Sequence, residues 1–168
     1  MVEKQNGEWG TPQVLGDEVN QFGPHWQASV ADNQNLYFGG RLSNSPGDIY
    51  FSEYINNNYT LATKLGSAIN TNNGFEGSPF IAPDESYLIF TSNRPGGYGS
   101  ADLYICYAQT NGTWSDPINM GDKINSEKYD YCAILSPDEK YFFFSSSRSG
   151  NGDVYWVDAS IIHNLNNK

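Results

Sequence analysis

Apolar residues along this chain come in short bursts, each fenced by Pro, Asp, Asn or Gly. "YLIF" (Tyr87 to Phe90) and "YFFF" (Tyr141 to Phe144) are aromatic and β-branched runs of strand length. "DIYFSEY", "DLYICYA" and "DVYWVD" alternate instead, so that Ile49 and Phe51, Leu103 and Ile105, and Val154 and Trp156 fall on one face of a pleated strand. "APDES" and "SPDEK" are turns in which Pro presets φ. "SPFIA" and "CAILS" supply an apolar strand before each turn, and "NNNYTLATKLG" and "NGTWSDPINMG" supply a short closing strand. No segment sustains a helical period; only the last stretch, "ASIIHNLNNK", predicts a turn or two of helix.

The pattern recurs. Arg41, Arg94 and Arg148 are 53 and 54 residues apart, and Asp48, Asp102 and Asp153 are 54 and 51 apart. The Gly-x-x-x-Asn element (Gly16 to Asn20, Gly66 to Asn70, Gly121 to Asn125) returns after 50 and 55 residues. Three independent markers thus share a period of roughly 50 residues, the range of solenoids and propellers. Four short antiparallel strands per period describe a β-propeller blade. The expected architecture is all-β, with blades at 22–65, 66–119 and 120–158 and a tail at 159–168. The chain then holds three blades where closed propellers have about four to eight.

The ends of the sequence bear on that shortfall. The third unit has no closing strand after "DVYWVD", while "NGEWGTPQVLG" near the N-terminus matches "NGTWSDPINMG" almost residue for residue. An orphan outer strand at 8–16 therefore completes a blade begun at the C-terminal end. Two arrangements satisfy this. Either two copies lend each other their N-terminal strands in a six-bladed homodimeric ring, or the chain is one part of a longer propeller.

"SPDEKYFFFSSSRSGNGDVYWVD" resembles the TolB-like, WD-repeat-like propeller repeat: Ser-Pro-Asp-Gly-Lys, an apolar strand, Ser-x-Arg, a Gly-rich turn, then Asp-Ile-Tyr. The resemblance covers nearly the whole chain. It is closest in the third repeat and weakest in the first, where Ala31-Asp32-Asn33 replaces Ser-Pro-Asp. Glu85 and Glu139 stand where the family pattern has Gly. The resemblance implies a fold and leaves function open, since propellers host unrelated activities.

Charge narrows the partners. Nine Lys and Arg against 19 Asp and Glu give a formal net charge of −10, which repels nucleic-acid phosphates and anionic lipid heads. "MVEKQNGEWG" contains no signal-peptide core, although related propellers are often exported and a leader trimmed before this chain would leave no trace. Cys106 and Cys132 fall on strands of neighbouring units; they read as reduced, buried apolar residues, with a disulfide as the alternative.

No catalytic motif is present: there is no Gly-x-Ser-x-Gly elbow, His-Glu-x-x-His or P-loop. "NSPGD" and "SGNGD" lack the closing Glu of a calcium loop and read as turns. The candidate chemistry lies just before each innermost strand, where Glu76 and Asp130 occupy matching places after an aromatic residue and the first unit has Gly23-Pro24 there, followed by His25. Carboxylates gathered round a channel repel unless a cation or protons offset them, and with imidazole added the set reads as a divalent-metal site for zinc, manganese or iron rather than calcium. The same acids have a structural reading: they pair with Arg94 and Arg148 or cap turn amides; all three recurrent arginines are expected to be structural, and Arg148 to be largely buried. Trp26, Tyr98, Tyr129 and Tyr131 are candidates for the aromatic wall of a small-molecule or glycan pocket at the channel mouth. Two functions follow. One is a binding or assembly module. The other is a metal-dependent hydrolase of esters, lactones or phosphoesters, which resembles the six-bladed hydrolase propellers in architecture alone.

Overall fold

The computed structural model describes residues 4–42 and 45–166. The chain opens with a hairpin, β1 (Lys4–Gln5) and β2 (Glu8–Trp9), and a helical turn, α1 (Asp17–Asn20). A first sheet follows: β3 (His25–Val30), β4 (Leu36–Gly40) and β5 (Asp48–Ser52). The small hairpin β6 (Tyr54–Ile55) and β7 (Asn58–Tyr59) then leads to its closing strand β8 (Thr63–Lys64). The second sheet comprises β9 (Glu76–Ile81), β10 (Tyr87–Ser92), β11 (Asp102–Tyr107) and β12 (Ile118–Asn119). The third has β13 (Asp130–Leu135), β14 (Tyr141–Ser146) and β15 (Asp153–Asp158), and the helix α2 (Ser160–Asn166) ends the described chain.

Every sheet is antiparallel and ordered along the chain: β3-β4-β5-β8, β9-β10-β11-β12 and β13-β14-β15. The third sheet ends at β15. Residues 10–16, part of the predicted orphan strand, lie outside any strand, and β2 pairs with β1 alone among the described residues. The turn read at "NSPGD" begins at Asn44, and the predicted tail at 159–168 ends, outside the described residues. The helix anticipated at the C-terminus is present and buries Ile162 and Leu165 against Ile105, Met120 and Phe142.

Packing between sheets explains the alternating pattern. The first strand of each unit lies over the sheet before it: β9 touches β3, β4 and β5, and β13 touches β9, β10 and β11. Ile49 is thereby covered by Ile69 and Ile81 of the next unit. Leu103 and Ile105 are covered by Ile124 and Ala133. All three covered side chains are fully buried. Both cysteines are free, and burial pushes the Cys106 thiol up to about 12. Among the described residues no helix is long and apolar enough to cross a membrane.

Candidate functional site

His25, Glu76 and Asp130 are the first residues of β3, β9 and β13, paired with Gly40, Ser92 and Ser146 at the ends of β4, β10 and β14. They are equivalent positions of one repeat, set at the same end of three innermost strands.

Glu76 is completely buried. One carboxylate oxygen accepts the Thr71 amide at 2.8 Å; the other accepts the hydroxyls of Thr71 at 3.0 Å and Ser92 at 2.8 Å. The Arg94 guanidinium lies 3.8 Å away. Asp130, also completely buried, accepts the Ser126 amide at 2.6 Å and hydroxyl at 2.9 Å and pairs with Arg148 at 3.1 Å. Each arginine reaches past its acid to a carbonyl of the Gly-x-x-x-Asn turn: Arg94 donates to Ala68 and Ile69, and Arg148 to Ile124. Each also lies over two rings, Arg94 on Phe90 and Tyr104, Arg148 on Phe144 and Tyr155. Burial depresses the Arg94 pKa, with Glu76 opposing. The acids therefore cap a turn amide and anchor an arginine, as the structural reading from sequence has it.

The first repeat performs the same task with different chemistry. His25 Nε2 donates to the Val19 carbonyl at 3.3 Å, the counterpart of the Ile69 and Ile124 carbonyls. Its ring packs against Phe38, which stands where Phe90 and Phe144 stand under the arginines. Imidazole thus replaces guanidinium, and Arg41 is exposed. The sequence expectation that all three arginines are structural is corrected at Arg41: His25 holds the carbonyl, the strand head carries no acid, and the Arg41 side chain is exposed. Among the described residues no three His, Cys, Asp or Glu side chains come close enough to share a cation.

This arrangement has relatives in shape. The chain is similar to TolB from Acinetobacter baumannii, with 20% sequence identity and a TM-score of 0.54 over 80% of this chain and 30% of that one. It is also similar to a TolB-type structure from Agrobacterium tumefaciens, with 16% identity and a TM-score of 0.58 over 82% of this chain and 47% of that one. The fold is the TolB-like β-propeller repeat. The chain spans less than half the length of either structure. No family model matches the sequence, and no curated protein does.

In this TolB-like fold the aromatic candidates separate. Tyr129 and Tyr131 meet edge to face at 5.2 Å, and burial raises the Tyr129 pKa. Trp26 stacks on Phe75 at 5.8 Å. Gly39 and Gly77 flank its indole so closely that a Cβ at either would fall within 2.7 Å of the ring nitrogen. Tyr98 stands apart on the β10–β11 loop, lining a hollow with Ile118, Met120 and Leu165.

Sequence reasoning missed three residues that sit at bulges in the first strand of each sheet. Gln27, Ser78 and Cys132 are the third residues of β3, β9 and β13, and each has left-handed φ (25°, 48° and 53°) at a bulge in its innermost strand. Bulges re-aim side chains. Here the Gln27 amide reaches the carbonyls of Pro79 at 3.4 Å and Ala133 at 3.5 Å, and the Cys132 thiol sits 3.8 Å from the Ser78 hydroxyl. Their residue types share nothing, so only their common offset from the strand heads could have marked them.

Proposed function

We propose that the chain is a binding or assembly module: half of a β-propeller ring that two copies close, three four-stranded units from each, with the N-terminal strand of one copy completing the third sheet of the other. The observation that carries this reading is the contrast at one repeat position. Ile49 and Leu103 are fully buried, whereas Val154 is 72% exposed and its neighbour in the same face, Trp156, is 62% exposed. An apolar strand face of this kind requires a cover, and six units lie within the usual propeller range. A small-molecule or glycan ligand would sit at the axial end near Tyr129 and Tyr131. The acids there are committed to turns and arginines, which favours binding over metal-assisted hydrolysis.

Light scattering of the intact chain at micromolar concentration is expected to give twice the 18.7 kDa chain mass. Removing residues 1–16 should abolish that species. A stable single chain in the first measurement, or an unchanged dimer in the second, would overturn the reading.

A further inference from the structure

The chain makes the same seam twice within itself, and resting on the two-copy ring above, we infer that a third seam of identical register joins Gly16–Asn20 and the extended segment before it to β15 of a second copy. The two internal seams share three backbone contacts. Leu65 N–H donates to Ile49 O at 3.0 Å, and Met120 N–H to Leu103 O at 3.1 Å. Asn70 clamps the same residue, accepting Ile49 N–H at 2.8 Å and donating to Ile49 O at 2.9 Å, as Asn125 clamps Leu103 at 2.8 and 3.0 Å. The strand heads Glu76 and Asp130 donate their N–H to Gly47 and Ala101, the residues just before β5 and β11.

Transposed by the repeat, the partners are Leu15, Asn20 and His25 on one copy with Val154 and Gly152 on the other. Both halves are already shaped for this. The turn at Gly16 has the fold of its counterparts, with Asn20 N–H donating to Gly16 O at 3.0 Å as Asn70 does to Gly66 O. The Asn20 carboxamide is held by a bond to Leu15 O at 2.6 Å, the counterpart of the Asn70 bond to Leu65 O at 2.8 Å. Asn70 and Asn125 are buried, while Asn20 is exposed. Beside it an apolar hollow of about 280 Å3 lies on the open side of the first sheet, lined by Leu15, Val19, Ala28 and Phe38 among others. Val30, at the end of β3, is 51% exposed, while its counterpart Ile81 is 2% exposed beneath the internal seam. The second copy's Val154 fills that hollow as Ile49 and Leu103 fill theirs.

The register follows from the closing strands. Thr63 faces Phe51 and Ile118 faces Ile105, so Gln13 faces Trp156 of the other copy. Cα atoms of directly opposed residues lie within disulfide reach. The pair Gln13→Cys with Trp156→Cys should therefore oxidise to a covalent dimer with a 13–156 cross-link in its peptide map, whereas Gln13→Cys with Val154→Cys should not. A dimer by light scattering that cross-links only through the slipped pair, or through neither, overturns the register and leaves the ring standing. Chains that remain single at every concentration overturn both. A separate arm tests the clamp: Asn20→Ala should raise the dimer dissociation constant at least tenfold with the circular dichroism spectrum unchanged, and an unchanged constant removes Asn20 from the seam.

Discussion

The seam between the first and second sheets and the outer edge of the third are built from the same repeat positions, and they differ in what covers them. Val154 is as apolar as Ile49 or Leu103, lies on the same strand face and opens the same alternating pattern, yet it is exposed where they are buried. Burial at a propeller strand is thus conferred by the unit that follows. The pattern along the strand states which face needs a cover without stating whether this chain supplies one. The first and third repeats show the complementary fact at opposite ends: Val30 and Asn20 are exposed where their counterparts cover a strand, and Val154 and Trp156 are exposed where their counterparts are covered.

The largest test of this comparison is the arginine series. Arg94 is 14% exposed and stands beside a fully buried Glu76, so Arg94→Ala leaves a buried carboxylate without its cation. The expected loss is about 3–5 kcal/mol in urea denaturation. Arg148 holds Asp130 in the same way but is 28% exposed at the open end, and Arg148→Ala should cost less. Arg41→Ala should change stability by no more than about 0.5 kcal/mol, as for an ordinary surface residue. Equal losses at the three sites would break the distinction between sealed and open seams, and a large loss at Arg41 would refute the exchange of roles with His25.

Next in size is the asparagine clamp. Asn70→Ala leaves the Ile49 N–H without its partner inside a closed seam, while the Ile49 carbonyl keeps the Leu65 N–H; an unsatisfied buried group costs about 1–3 kcal/mol. Asn20→Ala should leave the unfolding midpoint unchanged at concentrations low enough to hold single chains. A matching loss at Asn20 under those conditions would mean that the open turn needs its asparagine for its own fold.

The strands and the seams differed in how legible they were. Apolar runs fenced by turn residues marked β10 and β14, and alternation marked β5, β11 and β15, because each strand carries its own pattern. The repeat spacing then marked equivalence, including the strand heads Glu76 and Asp130, while His25 fell beside the matching place and only the strand register put it level with them. Their purpose was less legible. A carboxylate that binds a cation and one that caps a turn are the same residue in a sequence, and the Thr71 and Ser92 hydroxyls that occupy Glu76 reach it from five residues before and sixteen after. The bulges at Gln27, Ser78 and Cys132 gave no signal, since a left-handed backbone usually announces itself through Gly or Asn, and none of the three is either.

The smallest and sharpest contrast lies in the two Pro-Asp turns. Glu85 and Glu139 both hold left-handed φ, 60° and 56°, at the place the repeat pattern gives to Gly. An L-residue there costs about 1–2 kcal/mol against a glycine, while glycine gives back about 0.5–1 kcal/mol through its freer unfolded chain. With nothing else at stake the exchange should favour glycine by roughly 0.5–1 kcal/mol by the same two terms. Glu139 is exposed, so Glu139→Gly should raise the melting temperature by about 2–4 °C for each kcal/mol gained. Glu85 sits under the first seam. Its carboxylate accepts Asn33 at 2.7 Å, Asn35 at 3.0 Å and the Tyr37 hydroxyl at 2.8 Å, stitching the second sheet to the first, and burial together with this bond raises the Tyr37 pKa. Bonds to a charged group contribute about 1.5–3 kcal/mol when buried, and the Tyr37 bond alone outweighs the conformational relief. Glu85→Gly should therefore lower the melting temperature while Glu139→Gly raises it. Two shifts of the same sign would show that the turn backbone, and not the seam above it, decides what each glutamate is worth.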